Sequence, residues 1–271
     1  MAYPKEKNKI SNLSIFIITL NEQRCLSSVL HKAFELTDDV VVVDSGSVDD
    51  TKKIAEEFGA RFVYRQWGGY GQQKRFAEEL CKNDWVLNLD ADEVLSAELV
   101  SEIKKLFVEY DLRNVAYRIK VTTVYPHQLN PRYLADYNSV VRLYRKSECR
   151  FRDRETLDAV VVPSEVSVKE LKSPCLHYVI ENLEHYIFKL NRYTSIQSKV
   201  FKQKNIFVFI LYLGCGFPIE FLKAYLGKRH ITGGVYGFLF SLTRAYFRVM
   251  KYGKLYEASL NERLINEDSR P

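Results

Sequence analysis

Cysteine is scarce and dispersed: the five, Cys25, Cys81, Cys149, Cys175 and Cys215, form no C-x-x-C pair and no dense framework. That spacing argues against a zinc ribbon and a disulfide scaffold, and reduced thiols in a cytoplasmic setting fit best. Proline and glycine are also few, at seven and twelve, beside 46% apolar and 27% charged residues, which excludes collagenous, low-complexity and disordered chains. No Gly/Ser-rich linker and no solenoid repeat interrupts the 271 residues, a length that buries one sizeable core or one domain with an appended subdomain. The start, "MAYPKEKNKISN", has no apolar core of a secretory signal, so the chain is expected not to be exported. Long hydrophobic runs are missing too. The intensely apolar "IFVFILYLGCGFPI" (206–219) is fourteen residues broken by Gly214, Gly216 and Pro218, short of the roughly 18 to 20 needed to span a bilayer.

The first hundred residues alternate between two kinds of segment. "LSIFIIT" (13–19), "DDVVVVDSGS", "RFVYRQ" and "DWVLNLD" are strand-like runs, three of them strongly apolar. Between them lie amphipathic helical stretches, the first with Leu26, Val29, Leu30 and Ala33 on one face, the second stopped by Gly59. Continuous apolar strands alternating with such helices predict a parallel sheet covered on both faces, which places ligands beyond the carboxyl ends of the strands.

Those ends are polar or acidic each time: Thr19, Asn21 and Glu22 after the first strand, Asp44 and Ser45 after the second, Asp90 and Asp92 after the fourth. In "NLDADEVL" (88–95) three carboxylates fall within four residues, an arrangement that self-repulsion and desolvation oppose unless a cation neutralises them. A hard ion such as Mg²⁺ or Mn²⁺ shared with a nucleotide diphosphate would do so. The alternative is that Asp92 and Glu93 cap the helix expected from "SAELVSEIKKLFVEY". "GGYGQQK" (68–74) matches neither the P-loop nor the G-x-G-x-x-G dinucleotide fingerprint. It reads as a flexible turn bringing Gln73, Lys74 and Arg75 to the diphosphate, with Lys74 as a point charge, or as an ordinary loop carrying solvated bases.

"IITLNE", "VVVDSGSVDDT", "GYGQQKRFA" and "WVLNLDADE", in this order and spacing, resemble family 2 glycosyltransferases of the GT-A fold, the branch that includes bacterial lipopolysaccharide core β-1,4-glucosyltransferases. The likeness is strong over residues 13–100 and traceable through "VVRLYRK", "LHY" and "NRY" to about residue 195. It implies an α/β, Rossmann-like, mostly parallel sheet over residues 1–180 and a helical extension over 181–271, for which the charge pattern described below sets the expectation of membrane association. It also implies that Thr19, Asn21 and Glu22 face the nucleoside, that Asp44 hydrogen-bonds the base, normally uracil, and that Asp90 sits by the ribose and diphosphate. Asp92 would then hold the metal as the second acid of a D-x-D element, and Glu93 would position sugar or acceptor.

Inverting transfer further needs a general base for the acceptor hydroxyl. Relatives carry V-H-[DE] after D-x-D; here "RDRETLDAVVV" has Leu157 in the histidine's place, which makes Asp158 the candidate, with Glu155 and Asp153 as competitors. His177 in "CLHY" would touch acceptor or diphosphate, or simply be a core histidine; neither it nor His185 is assigned to metal. Arg142 is expected on a strand facing the cleft, and no Q-x-x-R-W element of processive synthases occurs, so single-sugar addition is expected.

The net charge of +6 is uneven: residues 199–254 hold ten Lys or Arg against one acid, Glu220, whereas acids crowd the first hundred residues. "YGFLFSLTRAYFRVMKYGK" interleaves aromatics with Arg244, Arg248, Lys251 and Lys254, as a helix lying on an anionic membrane surface requires; a buried helical subdomain with a basic solvent face, or a dimer interface, is the alternative. The combined expectation is a metal-dependent transferase peripheral to the cytoplasmic face of the inner membrane. It would take a UDP-hexose, glucose first, to a glycolipid such as the lipopolysaccharide core. A polypeptide, thiol or polyprenyl phosphate acceptor is the enzymatic alternative. A nucleic-acid-binding module is disfavoured, because the acidic strand ends repel phosphates that lack a metal.

Overall fold

The computed structural model describes residues 9–109, 114–153, 158–200 and 206–268. Strands β1 (Leu13–Thr19), β2 (Asp39–Asp44), β3 (Arg61–Tyr64) and β4 (Trp85–Asp90) alternate with helices α1 (Gln23–Leu36), α2 (Thr51–Glu57) and α3 (Tyr70–Leu80). Every residue of β1 and β2 is buried, as both-face coverage by helices demands. The expected face of α1, Leu26, Val29, Leu30 and Ala33, packs into the core with Ile15, Ile17 and Val42.

The chain continues through β5 (Glu93–Leu95), α4 (Ala97–Glu109), β6 (Val115–Thr123), β7 (Tyr137–Arg145), the small β8 (Arg150–Phe151) and β9 (Val160–Val161), and β10 (Ser167–His177). The main sheet runs β3-β2-β1-β4-β7-β6-β10-β5. β1 to β4 are mutually parallel where they pair, and β6 is parallel to β10, but β7 runs antiparallel to both β4 and β6, and β5 antiparallel to β10. The expected mostly parallel sheet is present, and the antiparallel strands β7 and β5 make it mixed. Antiparallel neighbours need no crossover helix, so the helix–strand alternation of the first hundred residues does not announce them.

The helix-capping alternative for the acidic cluster fails. α4 starts at Ala97, its cap is Ser96, whose Oγ accepts from the Leu99 amide at 3.1 Å, and its first-turn acid is Glu98. Glu93 instead lies on β5 and is buried.

Two compact units are present: residues 1–123 with 137–179, and residues 124–136 with 180–271. The second contains α5 (Leu183–Val200), α6 (Ile206–Leu222), a π-helical turn (Lys223–Gly227), a 3₁₀ turn (His230–Gly233) and α7 (Gly234–Asp268). No helix among the described residues is long and apolar enough to cross a membrane. The expected basic stripe on α7 is not a solvent-facing row. Lys251 is buried, and Lys254 Nζ donates to Asn191 O (3.0 Å) and Oδ1 (2.7 Å), Thr194 Oγ1 (3.0 Å) and Ser195 Oγ (2.8 Å), tying α7 to α5. Arg248 faces Glu220 at 3.8 Å. Three of the four bases are therefore taken up inside the helical unit, Lys254 because its long stem packs down while its ammonium finds acceptors.

Tyr125, from the 124–136 segment, hydrogen-bonds His230 Nδ1 and packs on Phe240 at 4.7 Å. Burial first, then the Arg132 charge, pushes His230 from its ordinary 6.5 down to about 4. A histidine kept neutral in the native state contributes stability that is complete above its unfolded pKa and is lost as pH falls through the folded one. Unfolding free energy should therefore drop by roughly 3 kcal/mol between about pH 6.5 and about pH 4. Denaturant titrations across that window should show the step, and His230→Asn should flatten it; an unchanged step would assign it to other groups.

Candidate active site

The register brings the sequence-selected strand ends to one edge. Thr19 pairs with Asp44, and the preceding Ile18 with Asp90, so three carboxyl ends lie side by side. The Asp44 carboxylate accepts from Gly46 N (2.8 Å), Ser47 N (2.7 Å) and Ser47 Oγ (2.5 Å), folding "DSGS" into a tight turn. Gly46 sits at φ +107°, where a side chain would be strained. Asn21, at φ 56°, laces this turn to the loop after β1: its amide donates to Ser47 Oγ (2.7 Å) and its Oδ1 accepts from Val48 N (2.9 Å). The Glu22 amide donates to Thr51 Oγ1 at 2.9 Å. Thr19 Oγ1 is buried with no hydrogen-bond partner among the described residues, an orphan that a bound polar molecule would satisfy.

Beside this edge lies a buried charge cluster. Lys74 is 1% exposed, and its Nζ is 2.7 Å from both Asp90 Oδ1 and Asp158 Oδ2. Arg142 Nη2 reaches Asp90 Oδ2 (2.9 Å) and Glu93 Oε1 (2.6 Å), while Nη1 donates to Asn88 Oδ1. β7 puts Arg142 there by pairing with β4, Leu143 opposite Leu87. Burial acts to raise the Asp90 pKa, but Arg142 and then Lys74 outweigh it and hold the carboxyl well below the usual range. Glu93 goes the other way: burial, with the Asp90 charge beside it, raises its pKa despite Arg142. Two neighbouring carboxylates thus differ in basicity by environment alone.

Asp92 faces a different partner. Its Oδ2 lies 3.2 Å from His177 Nε2, and its carbonyl accepts from Tyr178 N at 2.9 Å. β10 supplies the histidine because it pairs with β5, His177 opposite Glu93. Burial disfavours the imidazolium, yet the Asp92 hydrogen bond and charge prevail and raise the His177 pKa. Among the described residues no three His, Cys, Asp or Glu side chains converge as a metal cage.

Of the remaining sequence candidates, Gln73 and Lys74 are buried in the first turns of α3 and do not lie on a flexible turn. Gln73 Nε2 donates to Ser45 Oγ and the Arg65 carbonyl, each at 3.1 Å. Arg75 pairs with Glu79 at 3.0 Å and donates to the Phe151 carbonyl. Asp158 joins the cluster, Asp153 is exposed, and Glu155 lies outside the described residues. His185 belongs to the second unit, where its Nδ1 accepts from the Glu181 amide. Sequence reasoning missed Glu78. Fully buried, it accepts from Tyr144 Oη (2.7 Å), Arg150 Nε (2.5 Å) and Phe151 N (3.2 Å), anchoring β8. Its helical spacing marked it only as one more charged residue of α3.

The family model for glycosyl transferase family 2 matches residues 14–163, which contain this acidic edge and Asp158. The chain is a family 2 glycosyltransferase. Relatives extend the match beyond that segment. A glycosyltransferase of Rickettsia conorii is 36% identical over 265 residues, 95% of this chain and 94% of that protein. The lipopolysaccharide core biosynthesis glycosyltransferase LpsC of Rhizobium meliloti is 28% identical over 255 residues, 90% of this chain and 92% of that protein. Among solved structures, glucosyl-3-phosphoglycerate synthase from Mycobacterium tuberculosis, in complex with Mg²⁺ and UDP, is 25% identical over 42% of this chain and 44% of that one, with a TM-score of 0.34. With the family match and its own strand order, the glycosyltransferase has the GT-A architecture: a mixed, mostly parallel sheet with flanking helices, its acidic strand ends on one edge, followed by a helical extension.

Proposed function

We propose that this glycosyltransferase transfers a single hexose, glucose first, with inversion from a uridine diphosphate donor to a glycolipid of the lipopolysaccharide core type, working at the anionic cytoplasmic face of the inner membrane. The observation that carries the reaction is the division of labour among the acids. Asp90 and Glu93 are neutralised by Lys74 and Arg142, whereas Asp92 faces His177. The lipid acceptor is supported by the similarity to LpsC along nearly the whole chain.

In this reading Thr19, Asn21, Glu22 and the Asp44 turn form the wall against the nucleoside, and the orphaned Thr19 hydroxyl finds its partner there. The Asp44 carboxylate already shapes its own turn, so its contribution to uracil recognition comes through a fixed loop as well as any direct bond. Lys74 and Arg142 hold Asp90 ionised and oriented toward ribose and diphosphate. Asp92 would offer a carboxylate to Mn²⁺ or Mg²⁺ when phosphate oxygens and water complete the shell, and His177, 3.2 Å away, could add an imidazole to Mn²⁺ only by giving up the proton it shares with Asp92. Such an ion would offset the negative charge developing on the departing diphosphate. Asp158, 36% exposed and fixed by Lys74, takes the acceptor proton.

Asp92→Asn should keep the thermal transition and lower turnover by about 10²- to 10³-fold, with Mn²⁺ affinity in the presence of UDP falling alongside. Near-normal turnover at limiting Mn²⁺ would remove Asp92 from the metal role. A screen of nucleotide sugars, scoring metal-stimulated hydrolysis or transfer, tests the donor; no response to any of them would sink the reading.

A further inference from the structure

We infer that the turn joining α6 to α7 is a membrane-inserting tip, and that its partner is an anionic lipid surface. The inference rests on the glycolipid reading for its purpose, and on the following side chains for its substance. Ile219, Leu222 and Leu226 are three and four residues apart, so they share one face of α6 and its π-helical continuation. Val235, Phe238 and Leu242 repeat at three and four and share one face at the start of α7, and Ile231 is exposed in the 3₁₀ turn just before it. All seven are exposed, from 38% at Leu242 to 76% at Val235. The two rows are neighbours, since Phe238 packs edge-on against Phe221 at 5.6 Å and Tyr225 at 6.1 Å. Exposed apolar side chains gathered in two neighbouring rows mark an interaction site.

Charge selects the occupant. Lys223, Lys228 and Arg229 sit within the turn between the two rows, all exposed. The acids beside them are outnumbered: Glu220 lies 3.2 Å from Lys223 and 3.8 Å from Arg248, and Asp136 2.6 Å from Arg132 and 3.5 Å from Lys228, so with Arg229 five bases face two acids and the turn keeps a positive surplus. Thr232 Oγ1 donates to the Tyr133 carbonyl at 2.6 Å, which fixes the exposed Tyr133 beside the turn, a residue suited to the headgroup level. Exposed aliphatics ringed by cations and a tyrosine match a bilayer interface with anionic headgroups, and a second copy of this chain would have to bury the same cations against each other. The turn itself is braced: a Cβ on Gly237 would fall 1.8 Å from the His230 carbonyl oxygen, and one on Gly233 would fall 2.3 Å from Tyr125, so the backbone is packed too closely to collapse over its own apolar rows.

The test uses the full chain and sedimentation with vesicles of phosphatidylcholine alone or mixed with phosphatidylglycerol. Wild-type protein should bind the mixed vesicles, more weakly as salt rises. The combined variant Leu222→Ser, Leu226→Ser, Ile231→Ser should lower partitioning by about tenfold or more at low and high salt alike, because the apolar contribution is not screened. Lys223→Gln with Arg229→Asn should weaken binding only at low salt. Leu226→Trp gives an independent reading: its added emission should shift blue and be quenched by brominated lipid. Nucleotide-sugar hydrolysis in solution should be unchanged in all of these, and its absence from wild type would count against the transferase reading without touching vesicle binding. The inference is overturned if wild-type protein ignores both vesicle types, if the serine variant binds as wild type does, or if the tryptophan senses no lipid. It is likewise overturned if the patch proves to hold a dimer that the serine substitutions dissociate.

Discussion

Asp158→Asn is expected to cut sugar transfer by about 10²- to 10⁴-fold, the usual contribution of a positioned general base. Donor and metal affinity should change little, because Lys74 keeps its second partner, Asp90, at 2.7 Å after the substitution. Calorimetry with UDP separates binding from turnover. The geometry favours Asp158 over its sequence neighbour Asp153: one oxygen is held by an ammonium that is 1% exposed, while the carboxyl remains 36% exposed. A hydroxyl can therefore approach a carboxylate whose orientation is already set, which is where intramolecular rate advantage comes from. Near-normal transfer by the Asn variant would move the base elsewhere, and Glu155→Gln would then be the next substitution to examine.

Arg142→Met is expected to cost about 3 to 5 kcal/mol of stability. The methionine fills most of the volume, but Glu93, 3% exposed in its side chain, loses its counter-charge at 2.6 Å, and Asn88 and Asp90 each lose a donor. Lys74 compensates only Asp90. Adding Glu93→Gln to the variant should recover part of the loss, since it removes the orphaned charge, and the double-mutant cycle should give a coupling of about 1 kcal/mol or more. A loss below about 1 kcal/mol in Arg142→Met would mean that Glu93 is already neutral in the native state. The same substitution should also depress turnover, because Asp90 would no longer be held from two sides.

The residues that form the acidic edge were legible in the sequence because their signal is local. β1, β2 and β4 announce themselves as apolar runs, α1 as a 3.6-residue period, and Asp44 and Asp90 as acids at strand ends, where parallel sheets gather ligands. The antiparallel strands β7 and β5 were not legible in direction, nor was Lys74's burial, because an amphipathic helix start looks the same whether its lysine meets solvent or two carboxylates. The basic residues of α7 misled for a related reason: composition shows that Lys251 and Lys254 are cations but not that α5 offers Lys254 four acceptors.

By itself, then, the sequence determined the alternating architecture, the acidic edge and the motif order shared with family 2 glycosyltransferases. Only the tertiary structure decided which acid is paired with which base. Lys74 meets Asp158 across 84 residues, His177 meets Asp92 across 85, and Arg142 meets Asp90 across 52. Periodicity and propensity report on neighbours within a few turns of helix or strand. The ionisation of a carboxylate depends on what the completed sheet brings to within about 4 Å of it, and that is set by strand order and register.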